Sequence, residues 1–324
     1  MFSILIPTWN NLAYLKLCIQ SIRQHSHYQH ELVVHVNEGS DGTLKWLQQE
    51  GIQYSHSHDN IGVCLSVNHL AGMATKEWLL YMNDDMVCSP GWDEALTRKI
   101  KSAPDDRIFL SSLLIEPTPT KNNLVIFQNY GLSPDDFDAK KFASNYADIP
   151  HADMPGRASQ PTLIARRWWT MVGGYSLEFS PGMSSDDDLL MKLWVVGFRD
   201  FIIVGDSRLY HFACRSTGRI RKNRGSRTFV LKWGITQKEF KQQYLNRSSR
   251  QVEPQAASSF PHATWRGRIK RAIYGMSSGL PLHDVFSWNP SPGAGMITPE
   301  LTAGSDPYGL TSNLPRIAEQ NPQG

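Results

Sequence analysis

Two adjacent aspartates, Asp84 and Asp85, follow the apolar run 78–82 and have the residue types of a cation site. A divalent cation prefers hard oxygen ligands, and carboxylates at the tip of a buried strand supply them with little backbone freedom. A cation held there would neutralise the charge of a nucleoside diphosphate as it leaves. A turn or a helix cap is the competing interpretation. The assignment therefore depends on whether other reactive groups join the pair.

A second acidic cluster, Asp186, Asp187 and Asp188, opens a predicted helix over 186–196. A carboxylate of this cluster that pointed into a cleft could take the proton from an acceptor hydroxyl. The sequence leaves open which of the three would be this general base. Capping of the helix by Ser185 and the acids is the alternative role.

His211 follows a predicted strand at 201–204 and its continuation to Tyr210. A neutral imidazole can complete the coordination shell of a cation, and a structural role is the alternative. Residues 215–225 then contain four Arg and one Lys among hydroxyl and glycine residues. This composition predicts a basic loop over a diphosphate, with Arg215 and Lys222 as candidate phosphate contacts, or a solvated basic loop.

Strands and helices that could position these residues alternate over the first ninety residues. Apolar runs predict strands at 3–6, 32–36, 53–56 and 78–82, and helical spacing predicts helices at 11–25, 43–49 and 60–74. The order predicts an α/β fold with a doubly wound, mostly parallel sheet. Ligands of such sheets bind at the carboxyl ends of the strands, where the turns carrying the acids lie.

The pattern continues with less regularity after residue 90. We expect strand 3–6 to stop at Pro7, and a hairpin near 124–130 inside a loop-rich segment, 116–161. The other predicted elements are helices at 91–102, 166–172 and 186–196, strands at 108–115, 162–165 and 201–204, and a last helical region at 227–244.

Composition narrows the class of protein. The formal net charge of +3 is too small to indicate nucleic acid as a substrate. The four cysteines form no CxxC pair, which predicts neither a zinc site nor a disulfide framework and suits a reducing, cytoplasmic compartment. No apolar run approaches the roughly 18 to 20 residues of a membrane-spanning helix.

The character of the chain changes near residue 247, which predicts a catalytic domain at 1–246 and an extension at 247–324. The extension contains a polar linker at 250–263, a basic amphipathic segment at 265–276, and a tail rich in Pro, Gly and Ser that we expect to have little packed structure. The basic segment could make a peripheral contact with an anionic surface at the inner face of the membrane. The alternative is an ordinary helix packed on the catalytic domain.

Taken in order, these motifs resemble those of the family 2 glycosyltransferases with the GT-A fold. The resemblance covers about residues 1–245. The segments that carry it are Ile4-Leu5-Ile6-Pro7-Thr8-Trp9-Asn10, the turn that includes Asn37-Glu38-Gly39-Ser40, Asn60-Ile61-Gly62 through Asn68, Asn83-Asp84-Asp85, Arg166-Arg167 with Gly173-Gly174-Tyr175, and Ser185–Leu189 followed by Gly197-Phe198.

The resemblance implies a site for a nucleotide-diphosphate sugar. It places Asp84 at the ribose and at the cation, Asp85 as the preferred cation ligand, His211 as a further ligand, and Asp186 as the general base, with Asp187 and Asp188 as neighbouring candidates. The donor contacts that it implies are Pro7, Thr8, Asn10, Asn37, Glu38, Asn60, Gly62 and Asn68.

The implied function is glycosyl transfer with inversion, dependent on Mn²⁺ or Mg²⁺, to a glycan, lipid-linked or other hydroxyl acceptor, as in polysaccharide biosynthesis. A nucleotide-sugar-binding protein that has lost catalysis is the alternative, since Asn37, Asn83 and Ser185 replace acids of the family pattern. A nucleotidyltransferase on a similar sheet is a further alternative. Such an enzyme would carry a Gly-rich phosphate loop with a basic residue after the first strand, where this chain has Pro7-Thr8-Trp9-Asn10-Asn11.

Overall fold

A sheet of ten strands forms the centre of the part of the chain that the structure describes. The computed structural model describes residues 1–120, 122, 124–149, 152–157, 160–214, 223–245 and 263–277. The strands are β1 Phe2–Trp9, β2 Glu31–Asn37, β3 Gln53–Ser57, β4 Trp78–Tyr81, β5 Met86–Cys88, β6 Ile108–Glu116, β7 Val125–Phe127, β8 Met154–Pro155, β9 Thr162–Ala165 and β10 Asp200–His211.

Helices connect most of these strands. They are α1 Leu12–His25, α2 Thr43–Gln49, α3 Gly62–Met73, α4 Trp92–Ser102, α5 Ala139–Asn145, α6 Arg166–Met171, α7 Ser185–Val195, α8 Gly225–Trp233, α9 Gln237–Phe240 and α10 Trp265–Met276. A π-helical turn, Lys241–Leu245, follows α9 directly.

The sheet is mixed, with strand order β3-β2-β1-β4-β9-β6-β10-β5 and with β7 and β8 beside β6 and β10. Strands β1 to β4 run parallel to one another, as the alternating pattern predicts. Strand β9 enters antiparallel between β4 and β6, and β5 pairs antiparallel with β10. The α/β class is therefore confirmed, and parallel pairings outnumber antiparallel ones by five to four within the described ranges.

Burial explains why the first strand and helix form where they do. Phe2, Ile4, Leu5 and Ile6 of β1 are all buried, as a central strand covered on both faces requires. Helix α1 buries Leu15, Cys18, Ile19 and Ile22, which recur at helical spacing and pack on the sheet. This packing fixes where β1 ends and where α1 begins. The two residues between these elements are polar.

Several predicted elements differ from the structure. Strand β1 does not stop at Pro7, because Pro7 lacks only its own N–H and the extended backbone continues beside β2 to Trp9. The predicted hairpin at 124–130 is wrong, because β7 pairs in parallel with β6. The predicted strand 201–204 is too short, since β10 continues through a register shift between Val204 and Arg208.

The predicted helical region at 227–244 is divided into α8, α9 and the π-helical turn. Gly234 has a left-handed φ of 71° and ends α8, and the side chain of Thr236 then caps α9 by accepting a hydrogen bond from the backbone N–H of Glu239. None of the helices in the described ranges combines the length and apolar character needed to cross a bilayer. Residues 246–262 and 278–324, which hold the predicted linker and tail, lie outside those ranges.

Candidate active site

A cavity of about 690 Å³ opens where β1, β2 and β4 end. Residues from several distant parts of the sequence line it, among them the β1–α1 connection, the β4–β5 connection and the start of α7. The predicted site residues in this lining are Pro7, Thr8, Asn10, Asn37, Asn60, Gly62, Asp84, Asp85, Asp186 and His211. The fold therefore brings Asp186 of the second acidic cluster to the same space as Asp84 and Asp85.

Asp84 is held in the cavity wall by the end of β1. Thr8 Oγ1 donates a hydrogen bond of 2.7 Å to Asp84 Oδ2. Burial, together with the neighbouring charge of Asp85, raises the pKa of Asp84 to about 7, against hydrogen bonds from Thr8 and Asn11 that lower it. A positive charge in the cavity would stabilise the ionised form of Asp84.

Asp85 faces His211 across the antiparallel pairing of β5 with β10. Because His211 is in register with Met86, its imidazole lies next to Asp85, and His211 Nε2 is 3.5 Å from Asp85 Oδ1. The other carboxylate oxygen, Asp85 Oδ2, accepts a 2.8 Å hydrogen bond from the backbone N–H of Cys214. The Asp85 residue is only 4% exposed.

Glu116, at the end of β6, binds the opposite side of the His211 ring, with Oε1 2.8 Å from Nδ1. Burial alone would lower the pKa of His211, but the hydrogen bonds and charges of Asp85 and Glu116 raise it to about 9. A carboxylate behind a histidine is the arrangement that orients metal-bound imidazoles. No group of three His, Cys, Asp or Glu side chains within the described ranges forms a metal cage by itself.

Asp186 is the member of the second acidic cluster that lines the cavity. Its Oδ1 accepts hydrogen bonds from Tyr175 Oη at 2.6 Å and from Gln160 Nε2 at 3.1 Å. Its Oδ2 forms an ion pair with Arg157 Nη2 at 2.6 Å. These contacts fix the orientation of a carboxylate whose side chain is still 30% exposed.

Asp187 and Asp188 point elsewhere, because successive helical residues project about 100° apart. Asp187 receives a hydrogen bond from Gln237 and pairs with Lys241 Nζ at 2.9 Å. Asp188 is fully buried, and its carboxylate accepts hydrogen bonds from Ser176 Oγ at 2.6 Å and Trp233 Nε1 at 2.7 Å and pairs with Lys232. The structure thus places both outside the cavity lining and in contacts that hold α7 to its neighbours.

The side-chain amides of Asn37, Asn60 and Asn68 form most of their hydrogen bonds within the protein. Asn37 Oδ1 accepts from the backbone N–H of Ile61 at 2.9 Å, and Asn60 Oδ1 accepts from that of Gly62 at 2.9 Å. Asn68 lies outside the lining, where it exchanges two hydrogen bonds with the backbone of Tyr175. Asn37 and Asn60 therefore shape the cavity wall, and Asn68 joins α3 to the segment before α7.

Glu38 also lies outside the lining, and Trp9 connects it to the cavity. Trp9 Nε1 donates a 2.8 Å hydrogen bond to Glu38 Oε2, while Trp9 itself belongs to the lining. Asn10 Oδ1 accepts from the backbone N–H of Ser40 at 3.0 Å, which ties the two turns together. Arg215 and Lys222, the predicted phosphate contacts, lie outside the described residues.

Backbone strain is concentrated around the cavity. Within the described ranges, the non-glycine residues with positive φ are Asn10, Glu38, Ser184 and Ala213. Asn10 and Ala213 line the cavity, and the other two each adjoin a lining residue. Left-handed backbone costs a non-glycine residue of the order of 1–3 kcal/mol and tends to persist at functional sites.

Sequence reasoning missed Arg157, Glu116 and the role of Tyr175. Arg157 lies in an irregular segment, and Glu116 is the last residue of a strand, so neither has a local motif around it. Tyr175 follows the Gly173-Gly174 pair of a recognised motif, but nothing in that motif indicates that its hydroxyl reaches Asp186. Only the folded chain shows these contacts.

Comparison with known proteins supports the resemblance. Residues 3–154 match the family model described as glycosyl transferase family 2. No curated protein matched the chain.

Three solved structures illustrate the structural likeness. The crystal structure of GalNAc-T7 with UDP, GalNAc and Mn²⁺ is 14% identical, with a TM-score of 0.54 over 87% of this chain and 58% of that one. S. aureus TarS 1-349 is 14% identical, with a TM-score of 0.48 over 65% of this chain and 60% of that one. Its complex with UDP is 13% identical, with a TM-score of 0.47 over 64% and 59%. This chain thus spans about 60% of these proteins' length, and the likeness confirms the GT-A fold.

Proposed function

We propose that this chain, which carries a glycosyl transferase family 2 domain over residues 3–154, moves a sugar from a nucleotide-diphosphate donor to an acceptor hydroxyl. The observation that carries the proposal is that Asp84, Asp85 and Asp186 line one cavity although they come from distant elements. Transfer needs a place for the diphosphate and a base for the acceptor within the length of one sugar, and a cavity of about 690 Å³ has room for both.

The donor side lies at the ends of β1 and β4. The side chains of Thr8, Trp9 and Asn10 and the carboxylate of Asp84 offer polar and aromatic contacts to a nucleoside. GalNAc-T7, which shares the fold, was crystallised with UDP, and a uridine nucleotide is the first donor base to test. Arg215 and Lys222 remain proposed contacts of the diphosphate.

A divalent cation fits the residues that are present. Asp85 and His211 supply one carboxylate oxygen and one imidazole nitrogen on the same side of the cavity, and Glu116 holds the imidazole from behind. Mn²⁺ or Mg²⁺ is often bound by one or two protein side chains together with substrate phosphates. When bound, the cation supplies charge neutralisation for the leaving nucleoside diphosphate.

Asp186 is the proposed general base. Its carboxylate would take the proton of the acceptor hydroxyl while Arg157, Tyr175 and Gln160 hold it in one orientation. A hydroxyl that attacks the anomeric carbon from the face opposite the leaving group gives inversion. We assign this chemistry to a catalytic domain at 1–246 in the cytoplasm, acting on a glycan, a lipid-linked sugar or another hydroxyl acceptor.

The test is release of nucleoside diphosphate from a panel of UDP-, GDP- and dTDP-sugars with Mn²⁺ or Mg²⁺. Asp186→Asn should lower turnover by about 10² to 10⁴ while donor binding is kept, since loss of a general base costs this much. The matched control, Asp187→Asn, should keep turnover because that side chain lies outside the cavity lining. Equal turnover in wild-type protein and Asp186→Asn would reject Asp186 as the base.

A nucleotide-sugar-binding protein without transfer activity is the second candidate. Both oxygens of Asp186 already have partners, and Asn83 supplies a neutral side chain in the cavity where the family pattern has an acid. In that case a donor would stabilise the protein against heat, but no donor would be consumed with any acceptor.

A further inference from the structure

Helix α10 packs on the rest of the described chain through its glycines. Gly267 and Gly275 are the buried residues of α10, and a Cβ on Gly267 would lie 2.6 Å from Glu239 Oε2. Thr264 caps the helix, and its backbone N–H donates a 3.0 Å hydrogen bond to Glu239 Oε1. Arg227 Nη2 donates to the backbone oxygen of Tyr274 at 3.2 Å. The helix is thus fixed at both ends by its polar and small residues.

The large apolar side chains of α10 face away from this contact. Trp265, Ile269, Ile273 and Met276 are 66%, 50%, 53% and 54% exposed. Intervals of four, four and three residues place them along one side of the helix, and we call this set the apolar stripe. Of the eleven exposed large apolar side chains within the described ranges, the stripe supplies four, and no other helix or strand supplies more than one.

The orientation of α10 is the reverse of that of an ordinary surface helix. An amphipathic helix on a globular domain normally turns its large apolar residues to the core and its polar residues to water. A contiguous exposed apolar patch of this kind marks an interaction surface. Because the domain holds the helix through the opposite side, docking of the stripe would not require α10 to leave its place.

The charges beside the stripe are all positive. Arg266 and Lys270 each follow a stripe residue by one position and so lie along one edge, while Arg268 precedes Ile269 and lies along the other edge. All three are exposed. Residues 263–277 contain no Asp or Glu.

We propose that α10 docks the protein on an anionic lipid surface, with the apolar stripe inserted among the lipid headgroups and the basic residues in contact with their phosphates. Basic residues on both edges of an apolar stripe match a surface that is negative in every direction around the inserted side chains. Tryptophan is enriched at the interface between lipid and water, and long Lys and Arg side chains reach back to the headgroups. If the cavity binds the sugar donor as proposed above, docking would bring that donor to acceptors held at such a surface.

The test is sedimentation of the full chain with vesicles. Vesicles of phosphatidylglycerol and phosphatidylcholine in equal parts should bind the protein at low salt, and pure phosphatidylcholine should bind it much less. The pair Ile269→Ser with Ile273→Ser should weaken binding on the order of tenfold, because less apolar surface is inserted. The pair Arg268→Gln with Lys270→Gln should weaken it about 25-fold, since each basic residue near the surface contributes roughly fivefold.

The matched control is Leu132→Ser with Leu177→Ser, which removes two equally exposed apolar side chains outside α10 and should leave binding unchanged. Equal loss in the control and the stripe variant, or no sedimentation of the full chain, would overturn the proposal.

A lowered Tm of the stripe variant without lipid would also overturn it, because the stripe would then be covered by the protein. Binding to polyglutamate but not to vesicles would overturn it in favour of an acidic protein partner. Donor consumption measured without vesicles should be the same in all variants, so the outcome is independent of the proposed transferase activity.

Discussion

Three adjacent aspartates show how much a side chain's role depends on its direction. Asp186, Asp187 and Asp188 have the same chemistry, and in the sequence only the family resemblance favours Asp186 over its two neighbours. The helix turns Asp186 to the cavity, Asp187 to Lys241 and Asp188 to Trp233 and Lys232. The contacts of the folded helix therefore support the proposal of Asp186 as the base.

Arg157 tests whether the orientation of Asp186 matters. Its guanidinium is 2.6 Å from Asp186 Oδ2 and its side chain is only 12% exposed, so we assign it a positioning role. Arg157→Gln should lower kcat roughly tenfold to a hundredfold with the donor KM nearly unchanged, because a misplaced base affects the chemical step. Arg157→Lys should restore part of the loss.

The control is Arg107→Gln, which removes an exposed arginine paired with Asp105 and should leave kcat unchanged. A rise in donor KM with constant kcat in Arg157→Gln would show that Arg157 contacts the donor instead.

The environment of His35 should make the free energy of unfolding depend on pH, independently of catalysis. Burial lowers the pKa of His35 to about 4, and the charges of His69 and His56 contribute to this lowering. Its ring nitrogens contact Ser55 Oγ and Ser57 Oγ at 2.8 and 3.2 Å. Between about pH 6.5 and pH 4 the unfolded chain binds a proton at His35 that the folded chain does not, so stability falls as the pH is lowered through this window.

His35→Gln should reduce the slope of the free energy of unfolding against pH in that window by up to about 1.4 kcal/mol per pH unit. Urea unfolding at several pH values measures the slope. The control His58→Gln, at an exposed histidine, should leave it unchanged. An unchanged slope in His35→Gln would show that His35 is protonated alike in both states.

At the scale of elements, the sequence predicts best where apolar residues recur regularly. Strands β1 to β4 and helices α1 to α3 lie where the pattern indicates, because buried strands and amphipathic helices are defined by their own residues. The hairpin at 124–130 fails because β7 has three residues and depends on its partner, β6. The predicted strand 201–204 is shorter than β10 because Gly205 and Asp206 interrupt the apolar run at the register shift.

The turn before α3 allows a test of how an element shapes the cavity. Gly62 has a φ of 77°, and a Cβ there would lie 2.7 Å from the Cα of Pro181, across the cavity wall. Gly62→Ala should lower the free energy of unfolding by about 2 to 4 kcal/mol, the sum of backbone strain and a clash with backbone atoms.

Gly51→Ala separates these two costs. Gly51 has a φ of 63°, and a Cβ at this position would have no neighbour within 4 Å, so only the strain of about 1 to 2 kcal/mol remains. Urea unfolding of both variants measures the difference. Equal losses would show that Pro181 moves away freely and that the wall is not rigid there.

At the scale of the molecule, the sequence predicts the fold and most of the acids but not how the site is completed. The order of motifs indicates which side of the sheet the acids occupy, since turns after parallel strands meet at one edge. Contacts such as Glu116 with His211 and Arg157 with Asp186 join residues far apart in sequence, and no local pattern encodes them. The division into residues 1–246 and 247–324 stays a prediction.

We propose that one cavity holds the diphosphate and cation beside Asp84 and Asp85 and the acceptor beside Asp186. A crystal structure of the protein with Mn²⁺ and the nucleoside diphosphate selected by the donor panel tests it most directly. We expect an anomalous Mn²⁺ peak in contact with Asp85 and His211, with the diphosphate on that cation and free space between it and Asp186. A nucleotide bound outside the cavity, or Mn²⁺ at other side chains, would contradict it.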